Sequence, residues 1–320
     1  MARLATMVGS GISNQVGAAA GAHAFGAIGP AGVVAMRQIV AAAVLLPIAR
    51  PSLRRMTWAQ WWPTLLLAAV FATMNLTLYV AIDRIGLGLA VTLEFLGPLG
   101  VALASSRSRV HLLAAVSAAV GVYVLVLPGP SSDYVGIGLA LIAAASWAAY
   151  ILLNRTVGAR LPGLQAPAIA TSVSALLYLP VLVTLTAQGR LSGMPLVYAI
   201  TAGVLSSVVP YAADLIVLRH VPARFFGTFM SMYPVWAALA GLLLLGQVPA
   251  IHVWIGIAVI ALSNVVAVVT AHERGTRPVE TRVSRRGGAA SRSRACRSIP
   301  SGCRASACRP RSSSAYLTRG

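Results

Sequence analysis

The sequence has no lysine and only six acidic residues among 320. Charged residues amount to 10% and apolar residues to 58%, with a mean hydropathy of +0.81. Soluble domains carry roughly 25% charged residues. A water-soluble chain of this length needs a charged surface, and this composition excludes one. Lipid is the solvent in which such a chain is stable. Catalytic patterns are missing too: there is no Walker phosphate loop, no His-Glu-x-x-His, no Gly-x-Ser-x-Gly and no cluster of metal ligands. The five His, at 23, 111, 220, 252 and 272, fall near helix ends or in connections. An enzyme is therefore not expected, and no cofactor or metal is implied. Any active transport has to draw on an ion gradient or on the substrate's own. The three cysteines, Cys296, Cys303 and Cys308, have no zinc-ligand spacing and no His nearby, so they read as free thiols. Residues 1–22 lack a long apolar core followed by a small-residue cleavage site. No cleavable leader is expected, and the first helix would serve as its own signal anchor.

What is present is arginine: all 25 basic residues, for a formal net charge of +19. Such a balance raises nucleic acid as a partner, but its distribution argues against it. Twelve Arg lie after Thr270, where with Glu273 and Glu280 they leave +10 on the tail. The remaining +9 is scattered over short connections, so no folded domain carries a basic face.

Apolar runs of helix-spanning length recur between short polar or Pro/Gly breaks. They predict ten spans at 3–23, 31–49, 62–82, 87–105, 110–127, 135–154, 166–187, 194–217, 223–246 and 251–270. The first is the most polar, with Ser10, Ser13, Asn14 and Gln15. It is either an incomplete helix or one that faces a polar cavity. With the N-terminus in the cytoplasm, the inner segments before the tail hold ten Arg, the outer connections hold Arg84 and Arg190 alone, and Arg37 falls inside a helix. That asymmetry is the positive-inside pattern expected of a plasma-membrane protein with both termini cytoplasmic.

Five spans precede the break at 128–134 and five follow it, so the halves, 1–127 and 135–270, run in opposite orientations. Thr92-Leu-Glu-Phe-Leu-Gly-Pro98 in the fourth span is echoed by Thr228-Phe-Met-Ser-Met-Tyr-Pro234 in the ninth. The pairing links equivalent helices of inverted repeats, a transporter architecture with its site near the bilayer midplane. The fold class is thus all-α and membrane-integral, followed by a disordered Arg/Ser-rich tail at 271–320. The tail is either a poorly selected extension or a polybasic segment lying on anionic lipid.

Ionisable residues inside apolar spans are costly and face a cavity or a partner. Arg37 and Glu94 lie at similar depth, about six and seven residues from the outer ends of their spans. They either pair or line a common cavity. In a functional reading Glu94 binds a substrate ammonium or a proton, and Arg37 holds a carboxylate or tunes Glu94. In a structural reading the two form a buried pair that fixes helix register. Asp214 and Arg219, near the inner end of the eighth span, read as a cytoplasmic-gate ion pair. Tyr211 lies beside Pro210, which frees a backbone carbonyl. Asn75 and Tyr79 sit one turn apart on the third span. Trp147, Tyr150 and Asn154 form an i, i+3, i+7 stripe on the sixth, suited to cavity lining or to packing. Gly17-Ala-Ala-Ala-Gly21 marks close helix packing, within the bundle or in a dimer.

Three segments together, Ala90-Val-Thr-Leu-Glu-Phe-Leu-Gly-Pro-Leu-Gly-Val-Ala-Leu-Ala-Ser-Ser-Arg107, Ala145-Ser-Trp-Ala-Ala-Tyr-Ile-Leu152 and Phe226-Gly-Thr-Phe-Met-Ser-Met232, resemble the EamA/drug–metabolite transporter superfamily, and within it the threonine/homoserine exporter branch. The similarity runs from about Gly9 to Val269 and excludes the tail. It implies two inverted five-helix repeats and export of amino acids or similar metabolites from a central cavity. By motif match Asn75, Tyr79, Glu94, Trp147, Tyr150 and Tyr211 would surround that cavity. Two positions depart from the branch. Tyr233 stands before Pro234, and Gln247 follows Gly246, where the branch usually has Glu.

The sequence therefore reads as a secondary transporter exporting a small amphipathic metabolite, an amino acid such as threonine or homoserine. The partners expected are a small-molecule substrate, the lipid bilayer and, for coupling, protons. Alternatives are an exporter of drugs or nucleotide-derived metabolites, and a non-transporting scaffold whose basic tail is the working part.

Overall fold

The computed structural model describes residues 2–51, 53–104, 109–127, 133–158, 160–161, 165–210 and 230–275. All regular structure among them is helical. Helices α1 (Ala2–His23) and α2 (Phe25–Ala49) are followed by a short 3₁₀ turn and then by α3 (Trp58–Ile85). Next come α4 (Leu87–Glu94), α5 (Leu96–Ala104), α6 (Arg109–Val126) and α7 (Tyr134–Gly158). The chain continues through α8 (Gln165–Leu177), α9 (Leu179–Ala187) and α10 (Gly193–Gly203), which runs into a π-helical segment, Val204–Val208. It closes with α11 (Tyr233–Leu245) and α12 (Ile251–Gly275).

Three helices, α2, α3 and residues Tyr134–Asn154 of α7, are long and apolar enough to cross a bilayer, and the bent pair α8–α9 passes the same test together. Shorter apolar helices fill in between, such as Leu112–Val126 and Ile251–Val266. Their outer faces are apolar. On α6, Leu112, Leu113, Val116, Val120 and Tyr123 are all exposed and share one helical stripe. A stripe of that kind is untenable in water and ordinary against lipid.

Proline explains the breaks inside the predicted spans. Pro98 has no N–H for the Glu94 carbonyl, and the fourth span divides into α4 and α5 at Phe95. Pro180 stands just after Tyr178, where α8 and α9 meet at a 45° bend. The Tyr178 hydroxyl donates to the Ala72 carbonyl at 2.8 Å, fixing that bend to α3. Pro234 sits in the first turn of α11, after a turn at Ser231 and Met232. The second span begins earlier than its predicted start at 31, because α2 passes through a kink at Gly29 (φ 71°) and Pro30.

Helices approach closely where side chains are small. A Cβ on Gly17 would collide with Leu205 and Ser206, and one on Gly21 would meet Val33 at 2.9 Å and Ala202 at 3.2 Å. The small-residue motif of α1 thus packs within the bundle. Gly97 brings α5 directly against the Ala144 carbonyl of α7.

Candidate functional site

The polar residues of the spans converge on one cavity of about 180 Å³. Glu94 reaches it because the break at Phe95 ends α4 at that residue. It is only 6% exposed, yet no hydrogen-bond or ion-pair partner for its carboxylate occurs among the described residues. Burying an unpaired carboxylate is expensive, and a group left so is a functional candidate.

Arg37 lines the same cavity without pairing with Glu94. Its Nε donates to Ser207 Oγ at 3.0 Å and its Nη2 to the Ser206 carbonyl at 2.9 Å. Both serines lie in the π-helical segment just before Pro210, whose missing N–H leaves a carbonyl of that turn without a backbone partner. The guanidinium also lies 5.3 Å from the centre of the Tyr79 ring, within cation–π range. Of its five N–H donors two are spent on α10's π segment. The remaining N–H groups have no partner among the described residues.

Asn75 and Tyr79 line the cavity from α3. Asn75 Nδ2 donates back to the Phe71 carbonyl at 2.8 Å. Tyr79 is fully buried, and its hydroxyl has no partner among the described residues. From α7 come Trp147 and Tyr150, while Asn154, at the end of the same stripe, is exposed. Trp147 meets Phe95 edge-on at 4.6 Å, and Phe95 lies 5.8 Å from Tyr233. An aromatic group from both halves of the chain therefore packs around the break beside Glu94. Tyr211, Asp214 and Arg219 lie outside the described residues.

Polar residues of the first span complete the wall. Asn14 and Gln15 line the cavity. Ser13 Oγ donates to the Leu205 carbonyl at 2.9 Å, and Ser206 Oγ to the Asn14 carbonyl at 2.8 Å. The polarity of α1 thus serves the cavity and the contact with the π segment. The apolar contributors Phe71, Met74, Phe95 and Met230 carry no signal in the sequence, because an apolar residue facing a cavity looks like one facing a helix. Pro98 and Pro234 were the available pointers to Phe95 and Met230.

A helical membrane protein whose broken helices meet at a small cavity lined by both polar and apolar side chains has the build of a multi-pass carrier of small solutes. The EamA-like transporter family matches residues 134–269. The threonine/homoserine exporter RhtA of Salmonella typhimurium strain SL1344 is 34% identical over 258 residues, covering 80% of this chain and 85% of that protein. Its Escherichia coli K12 counterpart is 34% identical over 238 residues, covering 73% and 80%. The uncharacterized transporter YwfM of Bacillus subtilis strain 168 is 27% identical over 219 residues, covering 65% and 73%. A solved crystal structure 18% identical in sequence superposes with a TM-score of 0.57, covering 84% of this chain and 98% of that one, a likeness of fold. The chain belongs to the EamA/drug–metabolite transporter superfamily, in its RhtA-like branch.

Proposed function

We propose that the chain is a secondary transporter that exports a small amino acid, threonine or homoserine being the first candidates, across the bacterial plasma membrane. The observation that carries this reading is the Glu94 carboxylate, buried with no hydrogen-bond or ion-pair partner among the described residues, in the same small cavity as the tethered Arg37 guanidinium. A zwitterion supplies what each lacks: an ammonium for Glu94 and a carboxylate for Arg37. Asn75, Tyr79, Trp147, Tyr150 and Tyr211 complete the proposed binding site, with Asp214 and Arg219 as a cytoplasmic gate. Protons are the candidate coupling ion.

The cavity volume favours this substrate class over drugs, since about 180 Å³ falls below the roughly 300–1,000 Å³ of pockets for drug-sized ligands. The architecture that goes with it is ten crossings in two inverted repeats, 1–127 and 135–270, both termini cytoplasmic. The Arg asymmetry and the two Pro-broken helices at equivalent positions support it. Transport then proceeds by rocking one repeat against the other.

The test is export of homoserine and threonine from a sensitive bacterium expressing the chain, with Glu94→Gln as control. Resistance that rises with the wild type and falls with Glu94→Gln at equal membrane abundance is the expected result. Resistance unchanged across a broad amino-acid panel would remove the assignment. Export that survives deletion of residues 273–320 argues against the scaffold reading.

A further inference from the structure

A second cavity, of about 360 Å³, adjoins the first, and Ile82 lines both. It is built where α3 passes into α4 and where α11 passes toward α12, with Arg84, Leu89 and Val253 on its wall. The connections at that end, 83–86 and 246–250, hold Arg84 as their single Arg. By the charge asymmetry this is the outer face.

Gln247 stands across this cavity. Its Oε1 accepts the Leu87 N–H at 3.0 Å, a donor in the first turn of α4 with no partner inside the helix. The amide is seated in a notch made by two glycines: a Cβ would lie 2.8 Å from Oε1 at Gly241 and 3.1 Å from it at Gly86. Gly86 is also the junction of α3 and α4, at φ 86°, a conformation that favours glycine. The helix so tethered, Leu87–Glu94, has eight residues. The latch at its start and the Glu94 carboxylate at its end are thus about 10 Å apart on one rigid rod.

Resting on the function proposed above, we infer that the second cavity is the outer vestibule of the transport path. An amino-acid-sized zwitterion leaves the central cavity past Ile82, and Gln247 is the latch that holds α4 closed across the exit. Occupation of Glu94 and release of the latch are then two ends of one movement of α4.

The experiment uses the full chain with Cys296, Cys303 and Cys308 changed to Ser and Val253→Cys added, with Leu89→Cys as a second reporter should the first fail to accumulate. Intact cells are treated with a membrane-impermeant maleimide, and homoserine efflux is followed. Labelling from outside with loss of most efflux is expected. Adding Gln247→Ala should speed labelling about fivefold, the weight of one hydrogen bond in a two-state balance. Gln247→Glu, which keeps an acceptor for Leu87, should restore the slow rate. A reporter that cannot be labelled from outside, or that is fully labelled without loss of efflux, overturns the vestibule while leaving the exporter in place. Labelling unaffected by Gln247→Ala overturns the latch. A chain that exports no amino acid before any labelling overturns the underlying function instead.

Discussion

The two halves of the chain contribute unequally to the central cavity. Among the described lining residues, both charge-bearing side chains, Arg37 and Glu94, come from the first half, as do the amides Asn14, Gln15 and Asn75. The second half supplies Trp147, Tyr150, Tyr233, Met230 and the hydroxyl of Ser206. The contrast is sharpest at the two proline breaks. One presents Glu94 four residues before Pro98, and the other presents Met230 four residues before Pro234 and Tyr233 beside it. Two proline breaks thus carry different chemistry. One wall can fix the charged ends of a small solute, and the other shapes the space around it.

The largest effect should come from erasing the charge that distinguishes the first wall. A hydrogen bond to an ionised group contributes about 1.5–3 kcal/mol, so Glu94→Gln should lower export roughly 10- to 100-fold at unchanged abundance. Efflux rate at a fixed internal homoserine concentration measures this. Export within about twofold of wild type would mean that the unpaired carboxylate contributes no such bond.

Giving the second wall a charge of its own should have the next largest effect. Tyr233→Glu places a carboxylate beside Phe95, on the side of the cavity that has none among the described residues. With two acids facing one Arg37, preference should shift by about tenfold from neutral toward cationic amino acids, the weight of about one charged hydrogen bond. Competition of lysine and homoserine for efflux reads this shift directly. Because an unpaired intramembrane acid costs about 2.5–3.5 kcal/mol on insertion scales, abundance is measured alongside. An unchanged preference at normal abundance would mean that the second wall does not touch the solute.

The breaks themselves can be removed one at a time. Pro98→Ala restores an N–H that can bond the Glu94 carbonyl, joining α4 to α5 and turning Glu94 away from its present direction. A loss of export of about three- to tenfold is expected, comparable to one misplaced hydrogen bond. Pro234→Ala should cost less, because no carboxylate depends on that break. Equal losses would show that the two breaks serve hinge motion alike and that the asymmetry of their side chains is secondary.

Much of this was legible in the sequence for a physical reason. In an apolar chain a charged or amide side chain is rare and costly, so Arg37, Glu94, Asn75 and the polar run of the first span stand out. The structure gathers Arg37, Glu94, Asn75 and, from the first span, Asn14 and Gln15 on one cavity. Depth was legible too, from counting residues along a span, but rotation about a helix axis was not. Equal depth left Arg37 and Glu94 as a pair or as neighbours on a cavity. The structure places both on one cavity and turns Arg37 toward Ser206 and Ser207, about 170 residues away. Such a contact leaves no local trace beyond Pro210. Gln247 was visible only as a departure from a family pattern. Its bond to Leu87 depends on two glycines from different helices meeting at one end of the bundle.

The smallest effect belongs to the contact between the end of α3 and the start of α7. Arg84 Nε lies 2.9 Å from Asp133 Oδ2, and Asp133 Oδ1 accepts the Gly136 N–H at 2.9 Å at the start of α7. The backbone N–H of Gly136 first, and the Arg84 guanidinium after it, hold the Asp133 carboxyl below the usual carboxylate range. A group whose folded pKa is depressed stabilises above its unfolded value and loses that contribution as pH falls through the folded one. The contact should therefore be constant from about pH 5 to 8 and weaken only in strong acid. Asp133→Asn retains an acceptor for Gly136 and removes the ion pair with Arg84. Exposed pairs of this kind contribute little, so export should change by less than about threefold and keep its pH profile between 5 and 8. A larger loss, or a profile that moves within that window, would make the pair part of the transport cycle rather than a tether between the end of α3 and the start of α7.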